Sequence, residues 1–116
     1  MSINKNLITG STSMLILKLL DGEDMYGYQM IDTLAKRSDD TFSLKAGTLY
    51  PLLHGLEEKN MVNSYEKSAD NGRLRKYYTI TKKGKGMLSE KEDEWKAYVR
   101  AINQVLRGGE SYAIFC

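Results

Sequence analysis

The run Gly47-Thr-Leu-Tyr-Pro-Leu-Leu-His-Gly-Leu-Glu-Glu-Lys-Asn60 constrains this chain more than any other stretch. Its leucines stand at 49, 52, 53 and 56, the i, i+3, i+4, i+7 spacing of a helix with one buried face. Two glycines and the only proline of the chain lie in the same run. At about 100° per residue, Gly47, Pro51, His54 and Glu58 fall opposite the leucines, with Thr48, Tyr50 and Gly55 on the flanks. An ordinary solvated face would carry Lys, Glu and Gln, which are better helix formers. A front kept nearly bare suggests that something bulky approaches it, and a DNA major groove, about 12 Å wide, just admits an α-helix. Proline is tolerated in a helix's first turn, where its missing N–H has no intrahelical partner, so the helix is expected to begin near Thr48.

The flanking segments follow the order of a winged helix-turn-helix. Residues 7–20 form a helix that is apolar on nearly every side, and Asp21-Gly22-Glu23-Asp24 breaks it. A second helix is expected over Met25–Arg37, with Gly27, Met30, Ile31 and Leu34 on one face and Ser38-Asp39-Asp40 as its end. After the leucine helix, Asn60 occupies a place that suits the left-handed conformation. Two short strands, 61–66 and 74–80, flank Asn71-Gly72, a strong hairpin signal. Thr81 caps a last helix that runs to about Arg107, where Gly108-Gly109 stops it and a loose tail follows. The expected fold is therefore mainly α with a small β-hairpin: a winged domain over 1–80, a C-terminal dimerisation helix over 81–107 and a tail over 108–116.

Composition excludes several functions. Hydrophobic residues make up 41% and charged residues 28% of 116, which suits one folded domain. The longest apolar run, Met14–Leu20, is too short to span a bilayer and contains Lys18. The first ten residues lack a signal peptide's charged start and unbroken apolar centre, so a cytoplasmic protein with no membrane partner is expected. Cys116 is the only cysteine and His54 the only histidine. An internal disulfide is thereby excluded and a His-based metal site disfavoured, and neither a nucleophile–base pair nor a phosphate loop points to an enzyme. No cofactor is expected.

Charge is unevenly placed. Residues 36–85 hold eleven Lys/Arg against six Asp/Glu, an excess of five, whereas the flanks hold six against nine. A basic middle between acidic ends suits an anionic partner. Within it, Lys45, Thr48, Tyr50, Pro51 and His54 lie at the start and front of the leucine helix, where free backbone N–H groups and the helix dipole favour phosphate. Thr48 also reads as a plain N-cap, and Tyr50 as half-buried packing. In the wing, Arg73, Arg75 and Lys76 beside a tight turn would repel one another unless an anion lay near, and alternation puts Arg75 and Lys76 on opposite strand faces. Double-stranded DNA is the expected partner. A winged-helix module that binds protein without nucleic acid is the alternative reading, distinguished by its insensitivity to salt and DNA sequence.

The chain resembles the PadR family of bacterial transcriptional regulators. The resemblance is carried by Tyr26-Gly-Tyr-Gln-Met30, by Phe42–Leu53, by Leu56-Glu-Glu-Lys59, and by Gly72–Thr81 with Gly84, in the family's order across residues 14 to about 88. Asn60 stands where the family usually has glycine. The resemblance implies a homodimeric winged-helix repressor, often of detoxification or efflux genes, whose C-terminal helix pairs with its mate. The single helix after the wing is similar to the short-tailed branch, in which some members sense drugs by stacking them on a tryptophan of that helix. Trp95 is at the matching place.

Leu88, Trp95, Tyr98, Val99, Ile102, Val105 and Leu106 form a stripe at steps of three, four and seven, suited to helix pairing. Leu88, Trp95, Tyr98, Val99, Ile102 and Leu106 are the expected dimerisation residues, and the all-round apolar first helix is expected to lend one face to the partner's last helix. Trp95 reads either as core or, with Ser13, Met14, Leu17 and Val99, as the floor for a small aromatic or phenolic effector.

Overall fold

In the computed structural model, which describes the backbone of residues 5–108 and the side chains of residues 11–108, the first helix runs through the middle of the molecule. The elements in order are α1 (Lys5–Gly22), β1 (Met25–Tyr26), α2 (Gly27–Arg37), α3 (Ala46–Glu58), β2 (Val62–Ser68), β3 (Leu74–Ile80) and α4 (Lys82–Leu106). The strands form an antiparallel sheet of order β1-β3-β2, with Met25 opposite Tyr78 and Tyr65 opposite Tyr77. Helices α2 and α3 pack together and the β2–β3 hairpin follows them as the wing.

The core is built from one side of each element. Leu49, Leu53 and Leu56 of α3 are buried, as the leucine spacing requires, and they meet Met30 and Leu34 of α2 and Ile16, Leu17 and Leu20 of α1 in one cluster. Val62, Tyr78 and Leu88 close it from the sheet and α4. Each such side chain contributes about 1.5–3 kcal/mol by leaving water. In the described part of α1, Ile16, Leu17, Leu19 and Leu20 are buried under α2, β3 and α4, whereas Met14 and Leu15 stay partly exposed and Lys18 is exposed.

Turn chemistry fixes the element ends. The Ser38 hydroxyl donates to the Leu34 carbonyl at 2.7 Å and accepts from the Phe42 N–H at 3.0 Å, while Asp39 and Asp40 take φ of 52° and 64°. Asn60 has φ 61°, so the Met61 N–H reaches back to the Leu56 carbonyl (2.9 Å) and the Asn60 N–H to that of Glu57 (3.0 Å), closing α3 in a Schellman motif. In the wing turn, Gly72 (φ 78°) donates to the Ala69 carbonyl, and Asn71 Oδ1 accepts from the Arg73 N–H at 3.0 Å. Thr81 caps α4 by accepting from the Gly84 N–H at 3.0 Å. The same hydroxyl lies 2.7 Å from the Asn60 carbonyl and 3.0 Å from that of Met61, so α4 starts fastened to the end of α3.

Three expectations need correction. Met25 and Tyr26 are strand rather than helix, because their backbone pairs with Tyr78 and Tyr77; α2 starts only at Gly27. Helix α3 starts at Ala46, two residues before Thr48, with Lys45 as N-cap. Thr48 is therefore inside the helix, its N–H donating to the Lys45 carbonyl at 3.0 Å, and is not the cap. Pro51 consequently lies beyond the first turn, where it removes the bond to Gly47; Gly47 is exposed, so solvent can satisfy that carbonyl. The strand β2 also runs two residues further than its hydrophobic pattern suggested, to Ser68.

Candidate nucleic-acid interface

Because the leucines turn one side of α3 inward, Gly47, Thr48, Pro51, His54 and Glu58 face solvent. None is covered by the chain itself. Lys45 is exposed at the helix start. The front is not uniform, since His54 Nε2 sits 2.9 Å from Glu58 Oε1 and so ties the only histidine to a carboxylate. The anion-friendly part of α3 is thus its first two turns, and the Glu57-Glu58 end is unfavourable to phosphate.

Tyr50 is shared between surface and packing. Its ring lies against Gly27, where an added Cβ would overlap the hydroxyl, so it spaces the start of α3 from the start of α2. Burial, and after it the neighbouring Tyr28 and Tyr78, push its phenol above the usual range, while Arg75 acts in the opposite direction. Both readings of this tyrosine, packing and exposed rim, describe one part of it.

The wing presents its cations unequally. Arg73 is exposed in the turn. Lys76 is exposed on the sheet face toward α3, 4.0 Å from Glu57, which also accepts from the Ser64 hydroxyl at 2.6 Å. Arg75 is half-buried, with its guanidinium 5.0 Å above the Tyr26 ring and its Nε shielded without a hydrogen-bond partner. A cation that sequence reasoning overlooked, Lys67, stands opposite Arg75 and 5.3 Å from the Tyr77 ring centre. The pairing register fixed by Asn71-Gly72 was the available signal for it.

Helix α4 extends away from these surfaces, and the molecule reaches 63 Å along its longest axis. Leu88 is only 4% exposed and belongs to the chain's own core, so it is not part of the outer stripe. Trp95 is 45% exposed, Val105 82% and Leu106 75%, with Tyr98 and Ile102 also exposed. A groove of about 440 Å³ beside Trp95 is bordered by Lys96, Val99 and Arg100 of α4 and by Arg107 just past its end. Leu17 has no exposed surface and cannot form its floor; Ser13 and Met14 are partly exposed on α1 and do not border it. The tail 109–116, including Cys116, lies outside the described residues.

Three helices, a short first strand and a basic hairpin define a winged helix-turn-helix, a class in which the helix before the wing faces the nucleic acid. The model of the transcriptional regulator PadR-like family matches residues 16–90, and the chain belongs to that family. A curated, uncharacterised relative from Lysinibacillus sphaericus is 33% identical over 108 residues, covering 93% of this chain and 99% of its own length. The crystal structure of a PadR-like transcriptional regulator from Bacillus cereus superposes with a TM-score of 0.79 at 30% identity, covering 88% of this chain and 97% of the other. A PadR family regulator from Eggerthella lenta gives 0.76 at 32% identity, covering 87% and 86%. The chain is accordingly a DNA-binding transcription regulator. Among the described residues no helix is long and apolar enough to cross a membrane.

Proposed function

We propose that this chain acts as a homodimeric repressor that reads DNA with the front of α3 and is released by a small aromatic or phenolic effector. The observation that carries the reading is the uncovered, small-residue front of α3, with Lys45 at its start and the wing cations beside it. Lys45, Thr48, Tyr50, Pro51 and His54 are the groove residues; Arg73 and Lys76 hold flanking phosphates, with Arg75 behind them. Phosphate contacts give affinity without sequence preference, whereas base-edge contacts give discrimination.

Pairing through α4 is supported by its exposed apolar stripe and by its charge order. Next to Trp95 the segment 90–94 is acidic, with Glu90, Glu92, Asp93 and Glu94 against Lys91, and Lys96, Arg100 and Arg107 follow it. Two copies related by a twofold axis and antiparallel along α4 would place each acidic 90–94 segment against the partner's basic residues beyond Trp95. Such a dimer would carry two copies of α3 to half-sites about one DNA turn apart. The exposed Trp95 face is suited to stacking a flat effector.

Mobility shifts on DNA upstream of its own gene test the proposal. Binding should weaken with a log-log salt slope of about −0.9 per phosphate neutralised. Thr48→Ala and His54→Ala should reduce preference for the operator, and Arg73→Ala should weaken binding to all sequences. Salt-insensitive association with no preference among DNA sequences removes the reading. Titrating a flat dye against the emission of Trp95, the only tryptophan, tests the effector, and unchanged emission at saturation removes it.

A further inference from the structure

The wing projects with little core of its own, so its angle to α3 needs a brace. On the sheet face turned away from Glu57 lies a row of aromatic rings. Tyr65 and Tyr77, paired across β2 and β3, stack at 5.8 Å with planes 16° apart. Tyr26 of β1 meets Tyr77 edge-on at 5.4 Å. Arg75 and Lys67 cover the Tyr26 and Tyr77 rings, at 5.0 and 5.3 Å. The Tyr65 hydroxyl completes the row by donating to Asp24 Oδ2 at 2.6 Å, a link between residues 41 apart in sequence.

Asp24 immediately precedes β1, and β1 leads without a gap into α2, whose first residue Gly27 carries the Tyr50 ring of α3. The hydrogen bond therefore ties the middle of the wing to the segment against which the DNA-facing helix is set. Charge-assisted bonds of this length are stronger and more directional than neutral ones.

We propose that Tyr65 is a positioning residue for DNA binding: through Asp24 and the tyrosine row it fixes the pitch of the wing, so that Arg73 and Lys76 meet phosphates while α3 is in the groove. The proposal rests on the DNA reading given above. Tyr65 itself touches no DNA.

Tyr65→Phe keeps the ring stack and removes the bond to Asp24. It is expected to lower affinity for operator and unrelated DNA alike by roughly three- to tenfold and to reduce the salt slope by about one phosphate. Asp24→Asn keeps an oxygen acceptor and should lose less than Asp24→Ala. In an Arg73→Ala background Tyr65→Phe should add little, since both act through the same contact. Amide exchange in the free protein should quicken across residues 65–76 and not in α3. A Tyr65→Phe protein with the wild-type slope and an effect additive to Arg73→Ala overturns the proposal, and so does unchanged wing exchange. Wild-type protein that shows no salt-dependent binding removes the DNA reading and this proposal with it, an outcome distinct from a failure confined to Tyr65.

Discussion

The Tyr50 hydroxyl fills the space beside Gly27 that a methyl group would need. Two opposing effects meet there. Alanine is a better helix former than glycine by about 1 kcal/mol, and Gly27 opens α2. Its methyl would displace the end of a flexible, half-exposed side chain rather than backbone. Gly27→Ala is therefore expected to change stability by less than about 1 kcal/mol in a urea melt, while loss of operator preference in a mobility shift exceeds loss of general DNA affinity. A drop of several kcal/mol would mean that Tyr50 cannot move aside.

Gly84 has the opposite constraint. An added Cβ would overlap the Met61 backbone carbonyl and meet Ile80 Cγ1 at 2.8 Å, and a backbone carbonyl cannot swing away. Gly84→Ala is expected to destabilise by at least the 1–3 kcal/mol typical of overpacking. Gly86, two residues on and with open space around it, should gain up to about 1 kcal/mol on becoming alanine. Paired denaturant melts of the two variants check both signs.

Alkaline pH should weaken the fold through two phenols. Burial raises the Tyr50 phenol, and the hydrogen bond to Asp24 raises that of Tyr65. A raised folded-state value means that the native state holds its proton longer than the unfolded chain does. Stability is full below the unfolded value of about 10 and falls as pH rises through the folded values. Melting temperature followed from pH 8 to 11 should drop in the upper part of that range, and less so in Tyr65→Phe.

On α4 the proposed pairing stripe and the core residue Leu88 can be tested apart. Ile102→Lys places a charge on the exposed stripe and should leave the monomer's core intact while shifting sedimentation toward the monomer. Leu88→Ala empties a buried site and should cost about 2–5 kcal/mol of stability, with no direct effect on association. An Ile102→Lys protein that sediments as the wild type does would remove α4 as the pairing surface.

Much of this arrangement was legible because the signals were local. The leucine spacing gave the buried face of α3, Asn60 its left-handed end and Thr81 the start of α4, and each depends on a few neighbouring residues. What was not legible depends on partners far along the chain. Two residues are too short to show a strand period, so Met25-Tyr26 is a strand only because β3 lies beside it. The start of α3 at Ala46 was hidden because Lys45 caps it without a side-chain hydrogen bond, which put Pro51 two residues deeper in the helix than expected. Leu88 and Leu17 fit apolar stripes on their own helices, but a stripe does not say which neighbour covers it, and here it is the chain itself. The tyrosine row escaped notice because Tyr65, Tyr77 and Tyr26 become one surface only when the register is set.

One joint gives the molecule leverage. The Thr81 hydroxyl roots a rod of 25 residues, about 37 Å long, on the two carbonyls that follow α3. Beyond the buried Leu88 about 27 Å of it runs on, so a tilt of about 5° carries the far tip about 2 Å, and the same geometry run backward turns a small displacement around Trp95 into a twist delivered where α3 ends.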